Sequence, residues 1–496
     1  MTRRPPRSDS RTNRLPRTAV VARTAVIALC AGAALAACTA GPDFSPPAPP
    51  AVASFTARGD RIATPSQRTV PGTTVPATWW TAFGCAPLDV TMRAALAHNQ
   101  TLASARASLA AAREAQRAAT GALWPQLSLN GIAGRQKYGV SLFGPTHFVI
   151  PPFAYYTIGP QVSYVLDLAG AERRTVERER ALAAFRAEEL AATRLAVTGN
   201  VFAHALAISA ARSELGVIER IVANDRENLA LVEKARAAGS ATLPDVVSAR
   251  SQLAHDETLL PPLRQRASVA AHALAMLTGV APAAAPPPAM TLGDWRLPKD
   301  LPLALPSRLV RSRPDILAAE SELHAASAAI GIATANLYPQ ITLSANTTQQ
   351  ALSPGGLFDA GGNAWAMAAG LTAPLFDGGT LRARRREAVD AYHASLADYR
   401  RVVLDAFTQV ADVLRALAND DAEVRAQLAA RRTAADALAL MRTSYREGAV
   451  GVLSVLDAER QLNQSELDLV RARAQRLQDT ALLYLALGGG ESPRGG

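Results

Sequence analysis

Catalysis needs side chains of matched type at matched spacing, and this sequence scatters them. Its seven histidines (98, 147, 204, 255, 272, 324 and 393) are dispersed, with no pair at the spacing that metal ligation uses. There is no GxSxG nucleophile elbow, no phosphate-cradling Walker loop and no CxxC. No enzyme activity is therefore expected, and neither a metal nor another cofactor. The polar residues that could act without catalysis sit at two glycine-led turns: Asp245 follows Gly239, while Tyr445 and Asp457 flank Gly448. If long helices formed a tube ending at those glycines, carboxylates on the turns could ring its mouth, attract cations and hold the aperture narrow. Plainer roles fit the same residues. Asp245, next to Pro244, would stabilise a helix start through the helix dipole, Tyr445 could be a coiled-coil contact, and Asp457 could lie on a solvated face.

One cysteine carries a chemical signal of its own. Seven arginines in residues 1–37 precede or flank an apolar run from Thr24 to Ala37, in the order of the n-region and h-region of a secretory signal. The run closes Leu35-Ala36-Ala37-Cys38, a lipobox pattern in which Cys38 would receive diacylglycerol and become the mature N-terminus. Cys30 leaves with the signal and Cys85 stays alone, so no disulfide framework is expected despite export. Removing seven arginines and one aspartate lowers the formal charge from +10 to +4, which gives nucleic-acid binding no support.

The elements that must position these residues follow from composition and period. Among 496 residues, 49% are hydrophobic but only 5% aromatic, an alanine-rich helical composition. After residue 37 no uninterrupted apolar run reaches bilayer-spanning length, so any membrane passage is expected to use strands. Residues 38–87 read as a lipid-anchored, proline-rich tether. The body then repeats. Leu123-Trp124-Pro125-Gln126-Leu127-Ser128-Leu129 returns as Leu337-Tyr338-Pro339-Gln340-Ile341-Thr342-Leu343, and Gly239–Leu253 lies over Gly448–Leu462. Two copies, 88–279 and 307–487, are joined by a proline-rich linker at 280–306 and followed by a tail at 488–496.

Each copy changes period twice. A helical segment, 88–122 in the first copy, stops at Trp124-Pro125. Alternation follows, with Leu127 and Leu129 against Ser128 and Asn130, then Tyr156, Ile158, Val162, Tyr164 and Leu166 against Thr157, Gly159, Gln161 and Ser163. The second copy does the same with Ile341 and Leu343, then with Trp365, Met367, Ala369, Leu371 and Leu375. Four strands, apolar on one face and small or polar on the other, suit a lipid-facing wall around a wet lumen, although a half-buried soluble sheet alternates identically. The export and lipidation signals favour the wall. Because four strands cannot close a membrane barrel, the chain would then have to oligomerise. From Gly170 to Gly239, and from Gly379 to Gly448, proline is absent, which predicts two helices of about 100 Å each. The second carries a heptad seam, Tyr392, Leu396, Tyr399, Val403, Ala406, Val410, Val413 and Leu417, so partner helices must lie alongside.

This duplicated order of helix, hairpin, long helix, glycine turn and returning helix resembles the TolC-like outer-membrane factors across nearly the whole mature chain. The lipobox and tether look most like their NodT-type lipoprotein branch, which serves resistance-nodulation-division efflux systems. The specific marks are Tyr338-Pro339-Gln340, Pro374-Leu375-Phe376-Asp377-Gly378-Gly379, Tyr445-Arg446-Glu447-Gly448 and Val455-Leu456-Asp457-Ala458. The resemblance implies a mainly α fold with a β-barrel portion: a homotrimer with a twelve-stranded outer-membrane barrel continued by a periplasmic helical tunnel. It also implies docking to a periplasmic adaptor and an inner-membrane resistance-nodulation-division pump, and hence an exit duct for drugs or other small solutes. In the family's gate, Asp245 matches the first-copy aspartate, Tyr445 the second-copy tyrosine, and Asp457 one of two ring acids. Ser454 stands at the other ring position and Val450 at the gate arginine's, which implies a weaker ring and a different latch. The rival classes are a lipid-anchored periplasmic adaptor, which should carry one hairpin between soluble β-domains, and a coiled-coil scaffold lipoprotein, which has no use for two alternating strand pairs.

Overall fold

The computed structural model describes residues 39–52, 54–56, 65–138, 151–284, 286 and 288–489. The expected signal segment and Cys38 lie outside them. Two compact units divide the chain: one gathers residues through Ser45, Glu114–Ala181 and His324–Ala394, the other Pro46–Arg113, Leu182–Leu323 and the chain from Ser395 onward.

In chain order the elements are β1 (Arg68–Pro71), α1 (Ala86–His98), α2 (Gln100–Gly121), β2 (Gln126–Gln136), β3 (Phe153–Leu166), α3 (Ala171–Ala237), α4 (Leu243–Glu257) and α5 (Leu260–Leu277). There follow β4 (Asp300–Leu303), α6 (Pro306–Leu309), α7 (Pro314–Ala335), β5 (Gln340–Ala351), β6 (Asn363–Thr372), α8 (Thr380–Arg446) and α9 (Val452–Ala486). The two long helices, α3 and α8, each run for 67 residues, as the absence of proline between the bounding glycines allows. A stretch of α3 is long and apolar enough to cross a bilayer by composition, but most of it is buried inside the protein.

The first unit is built on an antiparallel sheet in the order β2-β3-β5-β6. Its register sorts the side chains. Leu127, Val162, Ala345 and Met367 are aligned across the four strands, as are Leu166, Ile341 and Leu371 across three. On the opposite face Ser128, Gln161, Asn346 and Ala366 align, with Asn130 donating to the Gln161 amide oxygen at 2.8 Å. Through this band one face is apolar and the other small or polar, although Ile132, Tyr155 and Val165 share that second face, and among the described residues the apolar face is left open: Leu127 is 72% exposed and Met367 76%. Leu375, expected on that face, instead lies beyond the end of β6. Both long helices begin beside this sheet with an aspartate as cap. The Asp167 carboxylate accepts the N–H groups of Glu172 and Arg173, and Asp377 those of Gly379 and Leu381. The residues just after Cys38 are held in the same unit. Arg174 donates to the Ala40 carbonyl and pairs with Asp43 at 2.9 Å, and Phe44 stacks on His324. At the closest approach Gly41, at φ +90°, meets Gly331, where a Cβ on Gly41 would stand 2.5 Å from the Gly331 Cα.

In the second unit the core is aromatic where the chain otherwise has few rings. Trp79, Phe83, Phe202, Trp295 and Tyr484 pack edge-on and stacked with centroid separations from 4.7 to 6.5 Å, and Trp295 donates its indole N–H to Ser209 Oγ at 2.9 Å. The tether is therefore less uniform than its composition suggests. It contributes Trp79 and Phe83 to this core and strand β1, which pairs in parallel with β4 from the proline-rich linker. The expected first-copy helix 88–122 is broken at Asn99, which caps α2 by accepting the Leu102 N–H and also donates to the Leu277 carbonyl. Pro261 and Pro262, at the start of α5, likewise split the expected returning helix into α4 and α5, whereas α9 runs unbroken for 35 residues.

Buried positions on α8 follow the seam through Tyr399, Val403, Ala406 and Val410, then step to Leu414 rather than Val413. A straight α-helix drifts by about 20° per heptad, and an extra four-residue step restores the phase. Two apolar clusters grip α9. Leu467 joins Val217, Ile218, Ile221 and Val222 of α3 and Leu263 of α5, while Leu469 and Ala472 meet Val424 of α8.

Candidate functional site

The two glycine turns are built alike at their helix C-termini. Gly239 and Gly448 both adopt φ +76°, a left-handed conformation that side chains rarely tolerate. The Gly239 N–H returns to Arg236 O and Ser240 N–H to Ala235 O, while the Gly448 N–H returns to Tyr445 O and Ala449 N–H to Ser444 O. These are paired Schellman bonds, satisfying the last carbonyls of α3 and α8.

Beyond the turns the two differ. Thr242 caps α4 in a reciprocal box with Asp245, whose carboxylate accepts the Thr242 N–H at 2.8 Å and its hydroxyl at 2.7 Å. The Thr242 N–H, and then its hydroxyl, hold the Asp245 carboxyl below the usual carboxylate range. At the second turn Gly451 precedes α9 with no side-chain cap bond. Asp457, exposed, forms an ion pair with Arg460 one turn on, and Tyr445 stands 43% exposed in the last turn of α8. Among the described residues no hydrogen bond or ion pair joins Asp245, Tyr445 and Asp457 to one another. Ser454 uses its N–H in a local turn to Gly451 O.

Buried acids behind the turns went unnoticed in the sequence. Asp225 on α3, Asp256 on α4 and Glu459 on α9 are all buried. Glu459 accepts from Arg442 and from Asn228, both at 2.6 Å, and Asp256 accepts from Gln252 at 2.8 Å. Asp225 has one oxygen with no partner. Burial first, then a hydrogen bond and repulsion from Asp256, and then Glu459, push its carboxyl up to about 7. A second group sits where α8 faces α9. Burial and the neighbouring Asp479 push Asp420 up to about 7, while Asp421 pairs with the buried Arg476 at 2.8 Å. The tether reaches this group: Ser66 hydrogen-bonds to both Asp421 and Arg476, and Gln67 donates to the Pro298 carbonyl and to Thr480. A signal for these acids existed. Asp225 continues the buried stripe Ile218, Ile221, Val222, and Asp421 falls between Leu417 and Val424 at seam spacing.

Among the described residues no three His, Cys, Asp or Glu side chains are placed to hold a metal ion. Cys85 is buried, and burial pushes its thiol up.

Known proteins share the fold of this chain. The sequence profile of the outer membrane efflux protein family matches residues 91–280 and again 305–489. The pyoverdine export outer membrane protein OpmQ of Pseudomonas aeruginosa is 32% identical over 417 residues, covering 83% of this chain and 87% of that one. Outer membrane protein OprJ of the same organism is 30% identical over 467 residues, 92% of this chain and 94% of that one. Among solved structures, the outer-membrane channel OprN superposes with a TM-score of 0.83 at 27% identity, over 91% of this chain and 99% of that one. The chain belongs to the outer membrane efflux protein family and is an outer-membrane efflux channel, not a periplasmic adaptor.

Proposed function

We propose that three copies of this chain close a twelve-stranded barrel in the outer membrane, continue it as a helical tunnel into the periplasm, and conduct solutes delivered by an inner-membrane resistance-nodulation-division pump and its adaptor. The sheet carries the argument. Among the described residues the apolar band from Leu127 to Met367 is uncovered, which in water would be an aggregation surface and in a bilayer is a wall. Its two outer strands, β2 and β6, leave edges unpaired over 11 and 10 residues, and matching edges from neighbouring copies would satisfy them. A tandem duplication accounts for the two profile matches and for the twin glycine turns. Lipidation at Cys38 would anchor the chain beside its own barrel, since the residues that follow are held in the unit that contains the sheet.

The duct performs no chemistry on its cargo in this reading, and choice of cargo belongs to the pump. Asp245, Tyr445 and Asp457 form its gate, with Asp457 present three times around the opening. In mild detergent the protein should have the mass of a trimer, and a monodisperse monomer would overturn the assembly. In planar bilayers Asp457→Asn should lower cation selectivity and Tyr445→Phe should raise the opening frequency without changing selectivity. Wild-type behaviour in both variants would remove the gate assignment and leave the duct standing.

A further inference from the structure

The two long helices start in the same way but carry their arginines differently. In the first turns of α3, Arg173 is tied to Asp167, Arg174 to Glu177 and Asp43, and Arg178 to Glu179. In the first turns of α8, Arg382, Arg384, Arg385 and Arg386 are all exposed, and among the described residues none forms an ion pair. Arg384 lines a small cavity against α3 and α7 together with Arg178 and Ile332. The helical period then turns Arg382, Arg385 and Arg386 to the other side, as one cationic face. The acids nearest in sequence are Asp377, whose carboxyl is held low first by the N–H groups of Leu381 and Gly379 and in part by the Arg382 charge, then Glu387, and Asp390 one turn after Arg386. Between the end of β6 and this face stand Leu375 and Phe376, 97% and 94% exposed. Water-facing loops seldom hold two such side chains bare, and apolar side chains next to cations are the composition of a bilayer interface.

We infer that Leu375, Phe376 and the Arg382–Arg385–Arg386 face form a binding surface for anionic phospholipid headgroups on the periplasmic side of the outer membrane. The inference rests on the membrane reading of the sheet. If the apolar face of the strands lies in the bilayer, the chain leaving β6 at Thr372 emerges at the headgroup level, and the first helical turns meet phosphates there. The apolar pair enters the acyl boundary while the guanidinium groups bind phosphate oxygens. The corresponding turns of α3 have their charges neutralised internally, so each chain presents one such surface.

The full-length protein, reconstituted in nanodiscs of mixed phosphatidylglycerol and phosphatidylcholine, tests this through the lipids that remain bound on release, counted by native mass spectrometry. Wild type should retain phosphatidylglycerol preferentially. Arg382→Gln, Arg385→Gln and Arg386→Gln combined should lower that preference by about tenfold or more. A control with Arg400, Arg432 and Arg473 changed to Gln removes the same charge and should leave it intact. Equal retention by wild type and the triple variant would overturn the inference. So would competition by inorganic phosphate, which would mark a free-anion site, or loss of the trimer with unchanged lipid retention, which would assign the arginines to contacts between copies. Wild type that enters neither lipid would refute the membrane reading itself, a result distinct from all of these.

Discussion

Asp225 offers the sharpest perturbation, because the cost of its charge can be worked from its surroundings. It is 5% exposed, faces the buried Asp256 and Glu459, and has an oxygen without a partner. Arg442 and Asn228 donate to Glu459 and Gln252 donates to Asp256, while burial, then Asp256, push the Asp225 carboxyl up to about 7. Its ordinary value is 3.8. Between those two values the folded chain binds a proton that the unfolded chain has lost, so stability falls as pH rises through this window and levels off above it. At about 1.4 kcal/mol per unit, the ionised form costs roughly 4 kcal/mol above pH 7. Asparagine keeps the shape and can still donate to Asp256, but it has no charge to bury. Asp225→Asn should therefore be near neutral at pH 4 and more stable than wild type by up to about 4 kcal/mol at pH 8. The slope of stability against pH between those limits should be shallower by about one proton. Chemical unfolding followed by helical circular dichroism at a series of pH values measures it. A variant curve parallel to wild type, or a variant less stable at pH 8, would refute the account of a shared proton in a dry helix interface.

Three further changes test other parts of the chain. Cys38→Ala should abolish lipid labelling and leave precursor or mis-sorted protein, and unchanged labelling would remove the lipobox assignment. Arg476→Ala should lower stability in chemical unfolding by about 1–3 kcal/mol, because Asp421 loses its buried cation and keeps only the more exposed Arg425 at 3.2 Å. Gly239→Ala and Gly448→Ala meet no atom within 4 Å of the new Cβ, so each should cost only the left-handed backbone, about 1–2 kcal/mol and the same at both turns. A clearly larger loss at one turn would show that its glycine has a packing role in the assembly.

What could be read from the sequence follows the range of the interaction. Long helices bounded by Gly170, Gly239, Gly379 and Gly448 needed only the absence of proline and the presence of a left-handed stop, and both are local. The strand faces were legible because a period of two is carried by each strand alone, and the register then aligned Leu127, Val162 and Met367 as that period demands. The pairing of β1 with β4 was not legible, since it joins four-residue segments more than 200 positions apart, both masked by proline-rich composition. The break at Asn99 depends on the Leu277 carbonyl, and the step from Val413 to Leu414 depends on how far a straight helix drifts against its neighbours. The buried acids violate the composition rule for a core, so residue type alone does not mark Asp225 as buried even though it shares a helix face with Ile218 and Ile221.

The proposed gate residues sit on turns of unequal restraint, and that inequality bears on which turn can move. Both helices that enter the turns end in the same Schellman bonds, so the entering side does not distinguish them. On the leaving side, Thr242 and Asp245 exchange capping bonds, and those bonds hold the Asp245 carboxyl below the usual carboxylate range. Gly451 supplies no side chain to α9, so the N–H groups of its first turn go without that support. Asp457 and Tyr445 flank this second turn, one tied only to Arg460 on the same helix and the other 43% exposed. If the proposed gate opens by loosening one turn at the lower energy, it would open at the second, and the first, held by its capping box, would be the fixed edge against which it moves.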